Sequence, residues 1–125
     1  MLRSGPISPF IHGVAEYVAG ALFIVAPFLF GFDSKAATAL AIVVGVGILV
    51  VTSSSQLPTG LAKVVPALLH AVVDFGVAAL LIASPFLFGF SGETAPTAFF
   101  ITLGVVHLLL TIGTRFLPAE RGTAQ

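Results

Sequence analysis

Two histidine–carboxylate pairs are the residues most able to do chemistry in an otherwise apolar sequence. His12 precedes Glu16 by four residues, and His70 precedes Asp74 by four residues. Side chains at positions i and i+4 of an α-helix share one face and lie about one turn apart. An imidazole beside a carboxylate can transfer a proton, bind a metal ion or form a structural hydrogen bond. We therefore predict that these four residues form one buried polar cluster.

A third histidine, His107, lies in a later apolar stretch. Counted back from Phe116 at 1.5 Å per residue, it is roughly 13 Å deep, and Glu16 counted forward from Pro9 is roughly 10 Å deep. We expect His107 to reach the layer of Glu16 and Asp74 and to complete the cluster.

The composition indicates that the solvent around these residues is lipid. Apolar residues make up 58% of the 125-residue chain and charged residues 8%, whereas a soluble domain averages about 25% charged residues. The formal net charge is zero, so no basic surface favours nucleic acid as a partner. Cysteine is absent, which excludes disulfides and thiolate ligands. The expected partner is the bilayer.

Four apolar stretches predict the elements that position the cluster. They cover about residues 9–30, 36–53, 64–88 and 95–116 and are separated by short Gly-, Ser- and Pro-containing breaks. Each has about the length that crosses a hydrocarbon core of roughly 30 Å. We predict an all-α fold, a four-transmembrane-helix bundle that forms a single membrane domain over residues 1–125.

The chain also carries an internal duplication. The hexapeptide at 27–32 recurs letter for letter at 85–90, and at the same offset His12 aligns with His70 and Glu16 with Asp74. We predict two tandem repeats, at about 9–58 and 66–118. Each repeat holds two spans, so both enter the membrane in the same direction and are parallel.

The hexapeptides predict helix ends at the membrane interface. Proline loosens the last turn, glycine suits a left-handed terminating residue, and phenylalanine anchors the interface. An aromatic plug or a re-entrant ligand pocket is the alternative. The motif residues are Pro27, Phe28, Gly31 and Phe32 in the first repeat, and Pro85, Phe86, Gly89 and Phe90 in the second.

Small residues predict close helix contacts beside the cluster. Gly20 and Ala78 continue the polar faces by one further turn, while Ala37, Ala41 and Gly45 recur at intervals of four in the second span. Such spacing lets helices approach closely, either inside the bundle or between protomers.

The duplicated hexapeptides, preceded by Ala26 or Ser84, resemble the SPW-repeat family of small bacterial integral membrane proteins. That family is named for a Ser-Pro-Trp tripeptide, and Ser84-Pro85-Phe86 departs from it at the third position. The resemblance covers about residues 9–117. It implies the duplicated multi-span topology and no catalytic residues.

Basic residues near the span ends predict the orientation in the membrane. Arg3, Lys63, Arg115 and Arg121 lie on the side of the termini and the middle loop, whereas Lys35 lies on the other side. Basic residues are enriched on the cytoplasmic side. We therefore predict that both termini are cytoplasmic and, by resemblance, that the protein lies in the bacterial inner (plasma) membrane.

Three functions remain open for the cluster. It can be structural, joining the two repeats or supporting interaction with a second copy or another membrane protein. It can be a proton or cation relay of a transporter or channel subunit. It can bind a metal ion or haem, with His12 and His70 as the candidate ligands. No phosphate-binding loop, nucleophile elbow or zinc-protease motif occurs in the sequence, so we predict no enzymatic activity. The sequence does not identify a cofactor.

Overall fold

The computed structural model describes residues 2–117, which form four α-helices. They are α1 (Pro9–Leu29), α2 (Lys35–Ser53), α3 (Ala67–Leu87) and α4 (Thr94–Gly113). All four are long and apolar enough to cross a membrane. The predicted all-α, four-helix fold is therefore confirmed. The repeat bounds, about 9–58 and 66–118, stay a prediction, and Pro118 and Arg121 lie outside the described residues.

Two predicted spans are longer than the helices. The third was expected from residue 64, but Val64 and Val65 bond to the carbonyl of Ser54 and Pro66 occupies the N-cap of α3. The fourth was expected to reach residue 116, but Thr114 has extended backbone angles. Apolar composition alone does not distinguish the last turn of a helix from an apolar segment that continues the chain beyond the helix.

The helix ends follow local chemistry. The Ser8 and Ser34 hydroxyls accept hydrogen bonds from the third residue into α1 and α2, the N-cap arrangement. At the other end of each hairpin's first helix, Gly31 and Gly89 adopt φ values of 63° and 74°. This left-handed conformation suits glycine, which has no Cβ to clash with the backbone.

The helices pack mainly as two antiparallel hairpins, α1 with α2 and α3 with α4. We call the end formed by residues 5–8, 54–66 and 114–117 the terminal end, and the end formed by residues 30–34 and 88–93 the turn end. The backbone N–H of Ile7 donates to Gly113 at 2.9 Å, which joins both chain ends at the terminal end. Far fewer contacts join the hairpins to each other than join the helices within each hairpin.

Small residues are the reason that α1 and α2 approach closely. A Cβ placed on Gly45 would lie 2.6 Å from the carbonyl oxygen of Gly20, which is closer than atoms pack. Ala41 and Ala37, one and two turns before it, are fully buried. The small-residue stripe of α2 therefore packs inside the bundle.

We expect Gly45→Ala to destabilise the protein by about 1–3 kcal/mol, because the new methyl group forces two helix backbones apart. Gly47→Ala is the matched control, since a Cβ there meets no atom within 4 Å. Unfolding of both variants by SDS in mixed micelles, followed by circular dichroism, tests this. Equal stability of the two variants would show that the contact does not limit packing.

An aromatic layer fills the bundle towards the turn end. Phe23 of α1 contacts Phe99 and Phe100 of α4 with ring centroids 4.8 and 5.7 Å apart, and Phe90 contacts Phe100 at 5.2 Å. By contrast, Phe28 and Phe86 of the hexapeptides are 74% and 66% exposed on the lipid-facing surface. This favours helix termination and interface anchoring over a re-entrant pocket.

Glu93 joins the two hairpins at the turn end. Its carboxylate oxygens accept hydrogen bonds from the backbone N–H groups of Asp33 and Ser34, at 2.6 and 2.8 Å. These amides lie at the N-terminus of α2, where the helix dipole favours a negative charge. The turn end therefore has its own polar contact between the hairpins.

Candidate functional site

The terminal half of the bundle brings all five predicted polar residues together. His12 and Glu16 come from α1, His70 and Asp74 from α3, and His107 from α4. Their exposed fractions are 0%, 2%, 0%, 3% and 5% respectively. The i, i+4 spacing therefore directs both pairs to the shared interior, as the sequence predicted.

Each histidine hydrogen-bonds to the carboxylate of the other hairpin. Nε2 of His12 lies 2.9 Å from Oδ2 of Asp74, and Nε2 of His70 lies 2.6 Å from Oε1 of Glu16. The contacts along each helix, His12–Glu16 and His70–Asp74, are both 3.1 Å. The four side chains thus form a closed ring in which imidazole and carboxylate groups alternate.

Two hydroxyl groups hold the outer nitrogens of the rings. Nδ1 of His12 lies 2.8 Å from Oγ1 of Thr114, and Nδ1 of His70 lies 2.5 Å from Oγ of Ser55. Each hydroxyl donates its single hydrogen to a backbone carbonyl four residues earlier, that of Leu110 or Val51. Because a carbonyl only accepts, each Nδ1 must carry a proton and donate to the hydroxyl.

The number of protons in the ring determines its charge. With Nδ1 protonated, each of the two crosswise bonds, from Nε2 of His12 to Asp74 and from Nε2 of His70 to Glu16, holds one further proton. Each imidazole–carboxylate pair is then neutral as a whole, whichever of the two groups the proton resides on. Two neutral, hydrogen-bonded pairs are an arrangement that a bilayer interior accepts, since an isolated charge there is costly.

His107 differs from the other two histidines. Its Nε2 points to the far carboxylate oxygens, 3.4 Å from Oδ1 of Asp74 and 3.9 Å from Oε2 of Glu16. Within residues 2–117, this buried nitrogen has no hydrogen-bond partner of good geometry. Its repeat counterpart is Ile48. The site is therefore asymmetric, and one polar atom aimed at it is unsatisfied.

An apolar lid covers the cluster at the terminal end. The Phe116 ring lies 4.7 Å from that of His12 and 6.0 Å from that of His70. Leu57 packs beside Phe116, and both are buried. A cavity of about 400 Å³ lies outside this lid. Water at the terminal end is thus separated from the ring by a few side chains.

Two apolar cavities flank the cluster where the hairpins meet. The cavity of about 270 Å³ is lined mainly by residues of α1 and α4 and reaches Glu16 and His107. The cavity of about 220 Å³ is lined mainly by residues of α2 and α3 and reaches both Asp74 and Glu16. Their positions are related by the internal repeat. They show that the hairpins pack loosely around a tightly bonded polar centre.

The geometry separates the two cofactor alternatives. The rings of His12 and His70 lie 5.9 Å apart with an interplanar angle of 73°, and the carboxylates of Glu16 and Asp74 bond to both of them. A porphyrin between two axial histidines does not fit this filled space. One ligand atom from each of the four residues lies within 4.8 Å of the others, which fits a single metal ion.

Sequence reasoning missed Ser55, Thr114 and the lid residue Phe116. From the sequence, Ser55 falls in a break between two spans and Thr114 falls within the fourth span. A signal existed, because the offset that aligns Thr52 with Thr111 also aligns Ser55 with Thr114. The repeat therefore indicates two equivalent hydroxyl groups, although only the structure shows that each one bonds to a histidine.

Comparison with known proteins places the chain in a family without assigning it a biochemical activity. No curated protein and no solved structure is significantly similar to it. The family model described as SPW repeat domain matches residues 10–114, which include all four helices and the whole polar cluster. The chain therefore belongs to the SPW-repeat family and is a small multi-pass membrane protein with a buried histidine–carboxylate cluster.

Proposed function

We propose that the protein is a non-enzymatic structural membrane protein in which the cluster fastens two hairpins into one bundle. The observation that carries the proposal is the crosswise pairing of His12 with Asp74 and of His70 with Glu16. Both bonds run between hairpins, where helix packing is sparse. Apolar side chains gain little by leaving lipid for a protein interior, so polar contacts and close packing decide helix association.

The two hydroxyl groups that hold the histidine rings also support the proposed fastening role. Thr114 of the second hairpin holds His12 of the first, and Ser55, just after α2, holds His70 of α3. Each ring is therefore held at Nδ1 by a hydroxyl and at Nε2 by a carboxylate. A rigid network of this kind specifies one arrangement of the hairpins.

The transport alternative receives less support from the turn-end half. Apart from Ser84, the buried polar side chains of residues 2–117 lie in the terminal half. The Ser84 hydroxyl donates to the carbonyl of Leu80 at 2.5 Å. The aromatic layer around Phe100 fills the interior between the cluster and the turn end. Between Glu16 and the turn end, a proton would therefore meet only the Ser84 hydroxyl among the buried polar side chains of residues 2–117.

We also propose an orientation in the membrane and a class of protein partner. Arg3, Lys63 and Arg115 are at the terminal end and Lys35 is at the turn end. We propose that the terminal end faces the cytoplasm of a bacterial inner membrane, because basic residues favour that side. The lipid bilayer is the solvent, and a second copy or another membrane protein is the expected kind of protein partner.

Spin-label distances test the fastening role directly, since the chain has no cysteine. Phe10→Cys and Leu68→Cys place labels at repeat-related positions on α1 and α3 that are 57% and 50% exposed. We expect a narrow distance distribution, measured by pulsed electron resonance in liposomes. Adding Glu16→Gln and Asp74→Asn should broaden it, because a neutral amide replaces each carboxylate and the charge-assisted hydrogen bonds between the hairpins become weaker neutral ones.

The control pair lies within one hairpin. Phe10→Cys combined with Val50→Cys, which is 56% exposed, reports the α1–α2 distance. This distribution should stay narrow when the carboxylates are replaced. Unchanged distances between the hairpins in the double carboxylate variant would overturn the proposed role.

A further inference from the structure

The ring of imidazole and carboxylate groups also has the composition of a metal site. We propose that His12, Glu16, His70 and Asp74 together bind one divalent first-row transition metal ion. This inference rests on the cluster described above but goes beyond its role in fastening the hairpins. Neither the family match nor the sequence motifs assign such a site.

The spacing of the ligand atoms is close to that of a coordination sphere. Nε2 of each histidine and one oxygen of each carboxylate alternate around the ring, with neighbours 2.6–3.1 Å apart. In a tetrahedral site with metal–ligand bonds of 2.0–2.2 Å, neighbouring ligand atoms lie about 3.4 Å apart. All four ligand atoms lie within 4.8 Å of one another. Moving each by about 1 Å or less, apart along the edges of the ring and closer across it, therefore accommodates an ion at its centre.

The outer contacts of both rings are those that metal-binding histidines require. A histidine that binds metal through Nε2 almost always donates its Nδ1 proton to a neighbouring acceptor, which fixes the ring and its tautomer. Thr114 and Ser55 accept these protons from His12 and His70. Both Nε2 atoms are thereby aimed inwards, as ligands.

The unsatisfied nitrogen of His107 is independent evidence for a ligand. This side chain is 5% exposed, and its Nε2 faces the outer oxygens of Asp74 and Glu16 at 3.4 and 3.9 Å. A buried polar atom without a partner is costly. When a metal ion draws the inner oxygens to the centre, His107 supplies either a fifth ligand or a hydrogen bond to an outer oxygen.

The donor set selects the class of ion. Imidazole nitrogen suits zinc, copper, iron and nickel, whereas calcium and magnesium prefer oxygen ligands throughout. Binding of the ion displaces the two protons held between the imidazole and carboxylate groups. The two carboxylates then carry two negative charges, so a divalent ion leaves the four-ligand site formally neutral. Neutrality matters in this position because the site lies in the bilayer-spanning part of α1 and α3.

The test uses the full chain in detergent, without a polyhistidine tag, after removal of bound metal with a chelator. Titration with Zn²⁺, read by calorimetry and by elemental analysis after dialysis, should give one ion per chain. Co²⁺ should bind at the same site and produce the visible absorption of a four- or five-coordinate ion. Failure of folded protein to bind either ion would overturn the proposal.

Substitution of a hydroxyl group that holds a histidine ring tests the location of the site while leaving all four ligands intact. Ser55→Ala should lower the affinity for Zn²⁺ by about 10–100-fold, because the His70 ring loses its hydrogen-bond acceptor. Ser54→Ala is the matched control, since none of the hydrogen bonds involving Ser54 runs through its hydroxyl. Equal affinity of the two variants, or full binding by a His12→Ala, His70→Ala protein, would overturn the assignment.

A measurement on the unmodified chain does not depend on variant folding. With Co²⁺ bound, proton magnetic resonance should show a strongly shifted, exchangeable signal from each of the two Nδ1–H groups held by Thr114 and Ser55, and a third such signal if His107 is the fifth ligand. One signal or none would contradict the proposed ligand set. If binding fails while the spin-label distances still respond to Glu16→Gln and Asp74→Asn, the metal inference is wrong and the fastening role stands.

Discussion

Replacing Asp74 with alanine is expected to lower the free energy of unfolding by about 3–5 kcal/mol, the range for breaking a buried ion pair. Oδ2 of Asp74 contacts Nε2 of both His12 and His70, at 2.9 and 3.1 Å. After its removal both rings share the single carboxylate of Glu16. The second proton of the ring then has no acceptor, and a buried positive charge or a lost hydrogen bond results.

The matched control for this variant is Asp33→Ala. Asp33 is exposed at the turn end, and only its backbone N–H takes part in the contact with Glu93. Alanine keeps that N–H, so the change should stay within about 0.5 kcal/mol. Unfolding by SDS in mixed micelles, followed by circular dichroism, compares the two variants. A difference below about 1 kcal/mol would mean that the cluster contributes little to joining the hairpins.

A double-mutant cycle separates the energy of the His12–Asp74 contact from the cost of leaving one of these groups buried without its partner. His12→Ala and Asp74→Ala should cost less together than the sum of their separate effects, because the double variant leaves neither partner of this pair buried alone. Coupling energies between polar side chains in membrane proteins average about 0.6 kcal/mol and reach about 1.7 kcal/mol. We expect the upper part of that range, since both groups are almost fully buried.

Replacing Phe100 with alanine is expected to cost about 3–5 kcal/mol, the range for removing a large buried aromatic side chain. Phe100 is 0% exposed, and its ring contacts those of Phe23, Phe90 and Phe99 at 5.7, 5.2 and 6.1 Å. Its removal leaves a cavity in the layer that joins the hairpins near the turn end. Lipid chains do not fill an enclosed cavity of this kind, so the lost contacts are not replaced.

Phe86→Ala is the control for the aromatic layer. Phe86 belongs to the duplicated hexapeptide but is 66% exposed, so its loss should change stability by about 0.5 kcal/mol or less. The same unfolding measurement compares the two phenylalanines. An equal loss in both variants would indicate that membrane anchoring by Phe86 matters as much as core packing by Phe100.

The elements and their order were predictable because the bilayer imposes simple constraints. Each apolar stretch must satisfy its backbone hydrogen bonds internally, so it forms a helix. Glycine at 31 and 89 predicted where two of these helices end. The predicted start of α3 and the predicted end of α4 were each wrong by about three residues. Phe116 is buried over the polar cluster at the terminal end, whereas Val64 lies in the exposed segment before α3. Local composition does not distinguish either residue from part of a helix.

The phenylalanine residues show a second limit of sequence reasoning. The repeated hexapeptides predict phenylalanine at the membrane interface, and Phe28 and Phe86 are exposed as this predicts. Phe90 belongs to the same motif and is nevertheless 3% exposed. Whether a phenylalanine faces lipid or protein depends on the neighbouring helix, because both environments are equally apolar.

By itself the sequence determined that the protein resides in a membrane, that it has four spans and a duplication, and that His12, Glu16, His70 and Asp74 share helix faces. Composition and the 3.6-residue period are sufficient for those conclusions. Only the tertiary structure decided that each histidine bonds to the carboxylate of the other hairpin and that Ser55 and Thr114 orient the rings. These partners are 15 to 102 residues apart in the chain, and no local spacing encodes contacts that only helix packing creates.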